Sequence, residues 1–375
     1  MSELGSFVQT LAVINDGMQQ SLHVGAQIFI SQAGQTLLDT AVGLARPGVP
    51  MTSDTLMMWM SSTKPVTAVA IAKLWQAGKL RLDDPIATHL PEFAAHGKGS
   101  ITIRHALTHT GGFRGIASRY DSVPWAQAIA ALCDARPEPN WVPGKKAGYH
   151  IASSWYVLAE IVQRLSGVPF SDYVRDQIFL PLGMRDSWIG MPEATYSGYG
   201  DRIGLIYQTE GGKSEPHAGL NALVATVNPR PAANGRGPIR ELGRFYQALL
   251  DGLKSVVSGA DHAGEVGLTS QTIEAMVARH RTGLRDLTFQ LTLDWALGFI
   301  PNTQNDDMQR FGYGFGPHAS PRAFGHGGNQ SSLGMADPEH DLVVAVVFNG
   351  LPGEAAHAGR MRSLMTAIYE DLSLT

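Results

Sequence analysis

Strand-like sequence is concentrated at the two ends of this chain, with mostly helical pattern between them. Near the N-terminus, the runs Ala26–Ser31 and Thr36–Val42 flank the turn-forming tetrad Gln32-Ala33-Gly34-Gln35 and predict a hairpin. A third apolar run, Leu56–Met60, leads into Ser61-Ser62-Thr63-Lys64-Pro65. Strand patterns return at Ala296–Ile300, Arg322–Gly325, Ser332–Ala336 and Leu342–Phe348. The stretch between reads as helices at Ile103–Leu107, Trp125–Leu132, Ser153–Leu165, Phe170–Phe179, Ile239–Leu250 and Gln271–Ala278. Amphipathic helices are expected over 3–20 (Phe7, Leu11, Val13, Ile14, Met18) and over Ala355–Leu372. Strands need partners, so the arrangement predicts an α/β fold of the α+β type. One sheet, built from both chain ends and flanked by helices, occupies 1–75 and 285–375; a mostly helical subdomain is inserted over 76–284. Long segments at 113–142 and 185–238 are expected to cover or line a site.

A chain of 375 residues buries a large core without staples. Its lone cysteine, Cys133, excludes an internal disulfide framework and reads as a small buried side chain. The 42 glycines and 21 prolines follow no G-X-Y period and mark many tight turns. A formal net charge of −4 with no basic run argues against nucleic acid or an anionic membrane as a partner. No run of 18 apolar residues is available to span a bilayer. The first basic residue is Arg46, so the cationic start of a secretory leader is absent and a cytoplasmic location is expected.

Several chemical motifs fail on context. No G-x-S-x-G is present. Gly312-Tyr313-Gly314-Phe315-Gly316 lacks the strand-then-helix setting of a dinucleotide loop. His105 and His109 have zinc-ligand spacing but no glutamate after the first and no third ligand nearby, so no metal is expected. The S-x-x-K tetrad Ser61 to Lys64 is expected about once by chance in such a chain, and alone it reads as an N-cap serine beside a solvated lysine. Its setting is more telling. A strand feeding an apolar helix puts Ser61 near the helix N-terminus and Lys64 about one turn on, on the same face. A lysine buried there can take the hydroxyl proton, because desolvation lowers its pKa towards neutrality.

Six motifs in order carry a resemblance over nearly the whole chain. They are Ser61-Ser62-Thr63-Lys64, Leu80-Arg81-Leu82-Asp83-Asp84-Pro85, Leu107-Thr108-His109-Thr110-Gly111-Gly112, Pro143-Gly144 before Gly148-Tyr149-His150, Ala233-Asn234-Gly235, and Phe324-Gly325-His326-Gly327-Gly328 followed by Ala336-Asp337-Pro338-Glu339. The sequence resembles the serine hydrolases that share the class C β-lactamase and penicillin-binding-protein fold, and within them the family VIII carboxylesterases. The resemblance implies an antiparallel sheet and no cofactor. It implies Ser61 as the acylated nucleophile, Lys64 as its proton acceptor and Tyr149 as the phenol that shares the proton and protonates the leaving group. The oxyanion hole would be the backbone N–H groups of Ser61 and Asn329, beside His326, Gly327 and Gly328. His109 has the place of a structural turn residue.

Two departures bear on substrate. The asparagine expected two residues after Tyr149 is Ile151, and the lysine of the family's K-T-G is His326. Each lost donor should cost a β-lactam or peptide on the order of 1–3 kcal/mol. The pattern therefore favours small to medium acyl esters, with His150 and His326 as further substrate-binding candidates. An acyltransferase, a D-amino-acid amidase or peptidase, a weak β-lactamase, and a catalytically silent scaffold or binding protein stay open as alternatives. The sequence does not fix the oligomeric state.

Overall fold

In the seven-stranded sheet the first strand of the chain pairs with its last long strand. Gly25–Gln32 runs antiparallel to Leu342–Phe348, with Ala26 opposite Phe348 and Gln32 opposite Leu342. In this computed structural model, residues 6–114, 123–254 and 264–375 are described. The strand order is Ile300–Pro301, Phe324–Gly328, Ser332–Asp337, Leu342–Phe348, Gly25–Gln32, Gln35–Arg46 and Val49–Pro50, antiparallel throughout.

The uninterrupted apolar run Leu342–Phe348 is buried at every position because both faces of the sheet are covered. Ile28, Ile30, Val344 and Val346 face a cluster with Ile14 of helix Val8–Gln19 and Leu364 and Ile368 of helix Glu354–Asp371. Their neighbours Phe29, Val343, Ala345 and Val347 face helix Ile239–Lys254 and the larger cluster beyond it. That period-two division is what an antiparallel strand between two helical layers requires. Helix Lys64–Gln76 is apolar nearly all round and correspondingly buried, packed beside helix Ser153–Ser166.

The sheet from both chain ends, the helical stretch between, and most predicted helices are found where expected. Four elements differ. The expected strand Leu56–Met60 shrinks to Met57–Met58, paired with Arg236–Gly237 outside the main sheet. Trp59 then donates its N–H to the Gly235 carbonyl and Met60 turns to a φ of +50°. The expected strand Ala296–Ile300 reduces to Ile300–Pro301, since Gly298 bends at a φ of +82° and bonds the Leu107 carbonyl. Helix Phe170–Val174 widens into a π-turn over Arg175–Phe179. The stretch 185–238 is not bare loop: it carries helices Glu193–Tyr199 and Leu223–Val227. Of the segment 113–142, residues 115–122 lie outside the described residues, as do residues 3–5 of the expected first helix.

His105 closes a capping box, its Nδ1 accepting from the Thr102 N–H at 3.1 Å. Cys133 is buried, and burial pushes its thiol up to about 11.

The end of strand Ser332–Asp337 is locked by one carboxylate. Asp337 is fully buried and accepts from Ser320 N–H at 2.9 Å, Tyr369 Oη at 2.7 Å, His340 Nδ1 at 2.9 Å and Glu339 N–H at 3.2 Å. Burial opposes its ionisation, but the hydrogen bonds, led by Ser320, win and hold its pKa below the usual carboxylate value. Its stabilisation is present above the unfolded aspartate pKa of ~3.9 and is lost as pH falls through the lower folded value. Asp337→Ala leaves several buried donors unpaired and should cost about 3 kcal/mol in urea unfolding at pH 7. A loss below about 1 kcal/mol would contradict this account of the lock.

Candidate active site

Ser61 lies in a 3-10 turn, Met60–Thr63, that runs directly into helix Lys64–Gln76. The α-helix thus begins three residues after Ser61, and Pro65 sits in its first turn, where a missing N–H does no harm. Neighbours hold the turn from both sides. Thr63 Oγ1 donates to the Met60 carbonyl at 2.7 Å and accepts from Gly235 N–H at 2.8 Å. Ser62 Oγ donates to the His326 carbonyl at 2.8 Å and lies 2.9 Å from Ser332 Oγ. Ser62, Thr63 and Lys64 are buried while Ser61 alone of the tetrad is partly open to solvent.

Lys64 is fully buried, with Nζ 2.9 Å from Ser61 Oγ and 3.1 Å from the Ala232 carbonyl. Among the described residues no carboxylate pairs with it, and desolvation pushes its pKa well below the ordinary lysine value. Asn234, two residues after Ala232, ties down the turn between them. That side chain accepts from Arg230 N–H at 2.8 Å and donates to the carbonyls of Asn228 at 2.7 Å and Ala225 at 3.1 Å. Thr67 Oγ1 holds the adjoining Pro231 carbonyl at 2.7 Å.

The Tyr149 ring lies 4.9 Å from Lys64 Nζ, and its phenol is near enough to Ser61 for the serine to lower its pKa. Burial pushes the phenol's pKa up, against the pull of the neighbouring Ser61, so the hydroxyl keeps its proton at neutral pH. Two devices place this tyrosine. Asp286 accepts the Tyr149 N–H at 3.1 Å and pairs with Arg281 at 3.1 Å, both side chains being buried. His109, at a φ of +58°, accepts the Gly148 N–H on its carbonyl at 3.0 Å and the His150 N–H on its Nδ1 at 2.9 Å.

The glycine strand closes the other side. A Cβ at Gly328 would lie 2.3 Å from the Trp59 carbonyl oxygen, so only glycine lets the strand approach the Ser61 turn this closely. At Gly327 a Cβ would meet the Tyr313 ring at 2.7 Å. Asn329 follows, exposed, in the turn closed by Ser331 N–H on the Gly328 carbonyl at 2.9 Å. His326 is buried with its ring centroid 6.1 Å from that of Tyr149 and Nδ1 2.7 Å from the Gly327 carbonyl. Burial, and then the nearby Lys64, lower its pKa to about 3, so the ring is neutral. His150 is placed elsewhere: its buried Nε2 accepts the Phe113 N–H at 3.2 Å, and its ring packs on Phe113 and His109 rather than on Ser61 or Lys64. Ile151 is exposed, at 67%.

Ser61, Lys64, Tyr149 and His326 are therefore brought together, with Gly328 against the turn that bears Ser61. Asn234, Arg281 and Asp286 support them without any signal of their own in the sequence beyond the Ala233-Asn234-Gly235 motif.

A sheet from both chain ends, with a buried S-x-x-K lysine against a tyrosine, defines a class of serine hydrolase. The chain belongs to the β-lactamase family, whose profile, described as Beta-lactamase, matches residues 12–365. It is similar to the esterase/β-lactamase LipL of Mycobacterium tuberculosis, 26% identical over 87% of this chain and 77% of that protein. It is also similar to the esterase EstB of Burkholderia gladioli, 34% identical over 47% of this chain and 49% of EstB. The crystal structure of a family VIII carboxylesterase superposes with a TM-score of 0.78 at 24% identity, covering 98% of this chain and 97% of the other, which shows a shared fold.

If Lys64 accepts the Ser61 proton, only its neutral amine is competent, and that form is populated above its depressed folded-state pKa. The rate of Ser61 modification by a fluorophosphonate should fall at low pH and reach its plateau well below pH ~10.4, the free lysine value. A profile still climbing through that value would contradict the burial argument. Lys64→Arg, which stays protonated, should slow labelling by at least about 100-fold at every pH tested.

Proposed function

We propose that this protein is a serine carboxylesterase acting on small to medium acyl esters through a Ser61 acyl-enzyme. The observation that carries the reading is the buried Lys64 amine 2.9 Å from Ser61 Oγ with a depressed pKa. Ser61 Oγ attacks the ester carbonyl carbon while its proton passes to Lys64 Nζ, and the C=O electron pair moves onto oxygen. The backbone N–H groups of Ser61 and Asn329 stabilise that oxyanion. Collapse breaks the bond to the alcohol, whose oxygen takes its proton through Tyr149, which is relayed one by Lys64. Water then attacks the acyl-enzyme, its proton following the reverse route, and releases the carboxylic acid and free Ser61.

Preference for esters over β-lactams or peptides is supported at two positions. Ile151, in the place of the family's asparagine, offers no amide to the substrate. His326, in the place of a lysine, is held neutral by burial and offers no positive charge to a carboxylate. The name of EstB agrees with this preference, while LipL is named for both esterase and β-lactamase.

A chromogenic butyryl ester should give a burst followed by steady turnover, and Ser61→Ala should abolish both. Wild-type rates in Ser61→Ala would overturn the assignment of Ser61 as nucleophile, whereas an unlabelled Ser61 after fluorophosphonate treatment, with no ester turnover, would overturn the proposal in favour of a silent binding protein. Efficient cephalosporin turnover would overturn the charge argument. An alcohol or amine acceptor that captures the acyl group would assign the chain to acyl transfer instead.

A further inference from the structure

Gln330 follows the proposed oxyanion donor Asn329, in the loop that joins strands Phe324–Gly328 and Ser332–Asp337. Its φ of +46° lies in the left-handed region, which residues bearing a Cβ enter only when the surroundings dictate it. Here they do. All four polar groups of Gln330 are held. Its N–H donates to Tyr313 Oη at 3.3 Å, and its carbonyl accepts from Arg360 Nη2 at 3.0 Å. Its side-chain Oε1 accepts the Gly353 N–H at 2.6 Å, and its Nε2 donates to Glu354 Oε1 at 3.3 Å.

These partners are joined to one another and to the site. Tyr313 Oη donates to the Glu354 carboxylate, at 2.8 and 3.0 Å, closing a ring with Gln330. The Tyr313 ring packs over Gly327, one of the glycines of the strand that borders the Ser61 turn. Arg360 is buried and extends the anchorage to the carbonyls of Gly350, at 3.3 Å, and Leu22, at 3.0 Å. A short loop strained at one residue and pinned from two other segments, that of Tyr313 and the capped helix Glu354–Asp371, cannot reorient its backbone freely.

We propose that Gln330 is the positioning residue of the oxyanion hole, and that Tyr313, Glu354 and Arg360 form the clamp that keeps it left-handed. This inference rests on the reading of Ser61 as nucleophile and Asn329 N–H as donor. An oxyanion donor acts only within about 2.7–3.1 Å of the developing charge. The clamp holds the loop so that Asn329 N–H meets that requirement without rearranging during the reaction. Gln330 touches neither Ser61, Lys64 nor Tyr149 in this arrangement; it acts through the backbone of its neighbour.

The test is steady-state kinetics of Gln330→Ala and Tyr313→Phe on the butyryl ester, with inhibition by phenylboronic acid, which forms a tetrahedral adduct on serine. Gln330→Ala should lower kcat about 10–100-fold and leave KM within about threefold, because the lost alignment matters chiefly in the transition state. Boronate affinity should weaken in parallel with kcat, and Tyr313→Phe should move both in the same direction. Gln330→Gly, which adopts the left-handed conformation without strain, covers the case in which the alanine variant does not fold. It keeps the backbone bonds but lacks both side-chain anchors, so the same parallel loss is expected. Unchanged kcat and boronate affinity in a folded variant, or a rise in KM alone, would overturn the clamp. Absence of boronate inhibition and of Ser61 labelling in the wild-type protein would instead overturn the reading beneath it, and the clamp with it.

Discussion

The desolvation of one lysine organises this site. Lys64 is desolvated without gaining a carboxylate among the described residues, and its Nζ has Ser61 Oγ and a backbone carbonyl as partners. A buried ammonium in that setting is disfavoured, and the lysine's pKa is lowered well below its ordinary value. The surroundings therefore do two jobs at once. They exclude water through Tyr149 and Trp155, whose rings lie 4.9 and 5.7 Å from Nζ, and they hold the Ala232 carbonyl at a fixed place. Were Ala232 free to drift, the amine would lose the contact that orients it towards Ser61. Asn234 restrains the turn that carries Ala232 with four side-chain hydrogen bonds to backbone, so a residue that never reaches the serine helps to decide where the lysine points.

The second constraint is the closure of the sheet by strands from both chain ends. Gly25–Gln32 pairs with Leu342–Phe348, and that pairing carries strands Ser332–Asp337 and Phe324–Gly328 to the edge beside the Ser61 turn. The approach is close enough that Gly328 tolerates no side chain against the Trp59 carbonyl, and Ser62 and Ser332 stitch turn to strand. Residues separated by more than 260 positions thus form one rigid wall, in keeping with the |i−j| of 264 between Ser62 and His326. Local turn chemistry sets Ser61 and Lys64; long-range pairing sets what faces them.

This division explains what the sequence made legible. Ser61 and Lys64 lie within one turn, so their proximity follows from spacing. Tyr149 and the glycine strand were reachable through ordered motifs, and the sheet through strand patterns at both ends. Arg281 and Asp286 were not legible, because an ion pair that acts by receiving the Tyr149 N–H leaves no spacing rule connecting 149 with 286. The same holds for Gln330, whose importance lies in a positive φ that its side chain does not announce. His150 shows the converse. It sits beside Tyr149 in sequence, yet the chain turns its ring to the Phe113 amide, since Gly148 and His150 are both tied back to His109. The strand expected at Leu56–Met60 ended early for a related reason: Trp59 is drawn to Gly235 and Met60 must reverse to present the serine.

Charge gives the last step. A site that takes anionic substrates needs a cation with an open valence beside the reacting serine. Among the described residues the neighbouring basic groups are committed elsewhere. Arg281 is buried against Asp286, Arg114 is paired with Glu138 at 3.0 Å, and Arg360 is spent on backbone carbonyls. Lys64 and His326 both have their charged forms suppressed by burial. A substrate carboxylate entering beside His326 would surrender hydration and meet a neutral imidazole in return, a poor exchange in a dry site. A neutral acyl group gives up far less. On the proposed reading, the same burial that readies Lys64 as a base also suppresses positive charge on the strand beside it, so that reactivity and a preference for uncharged acyl groups would share one physical cause.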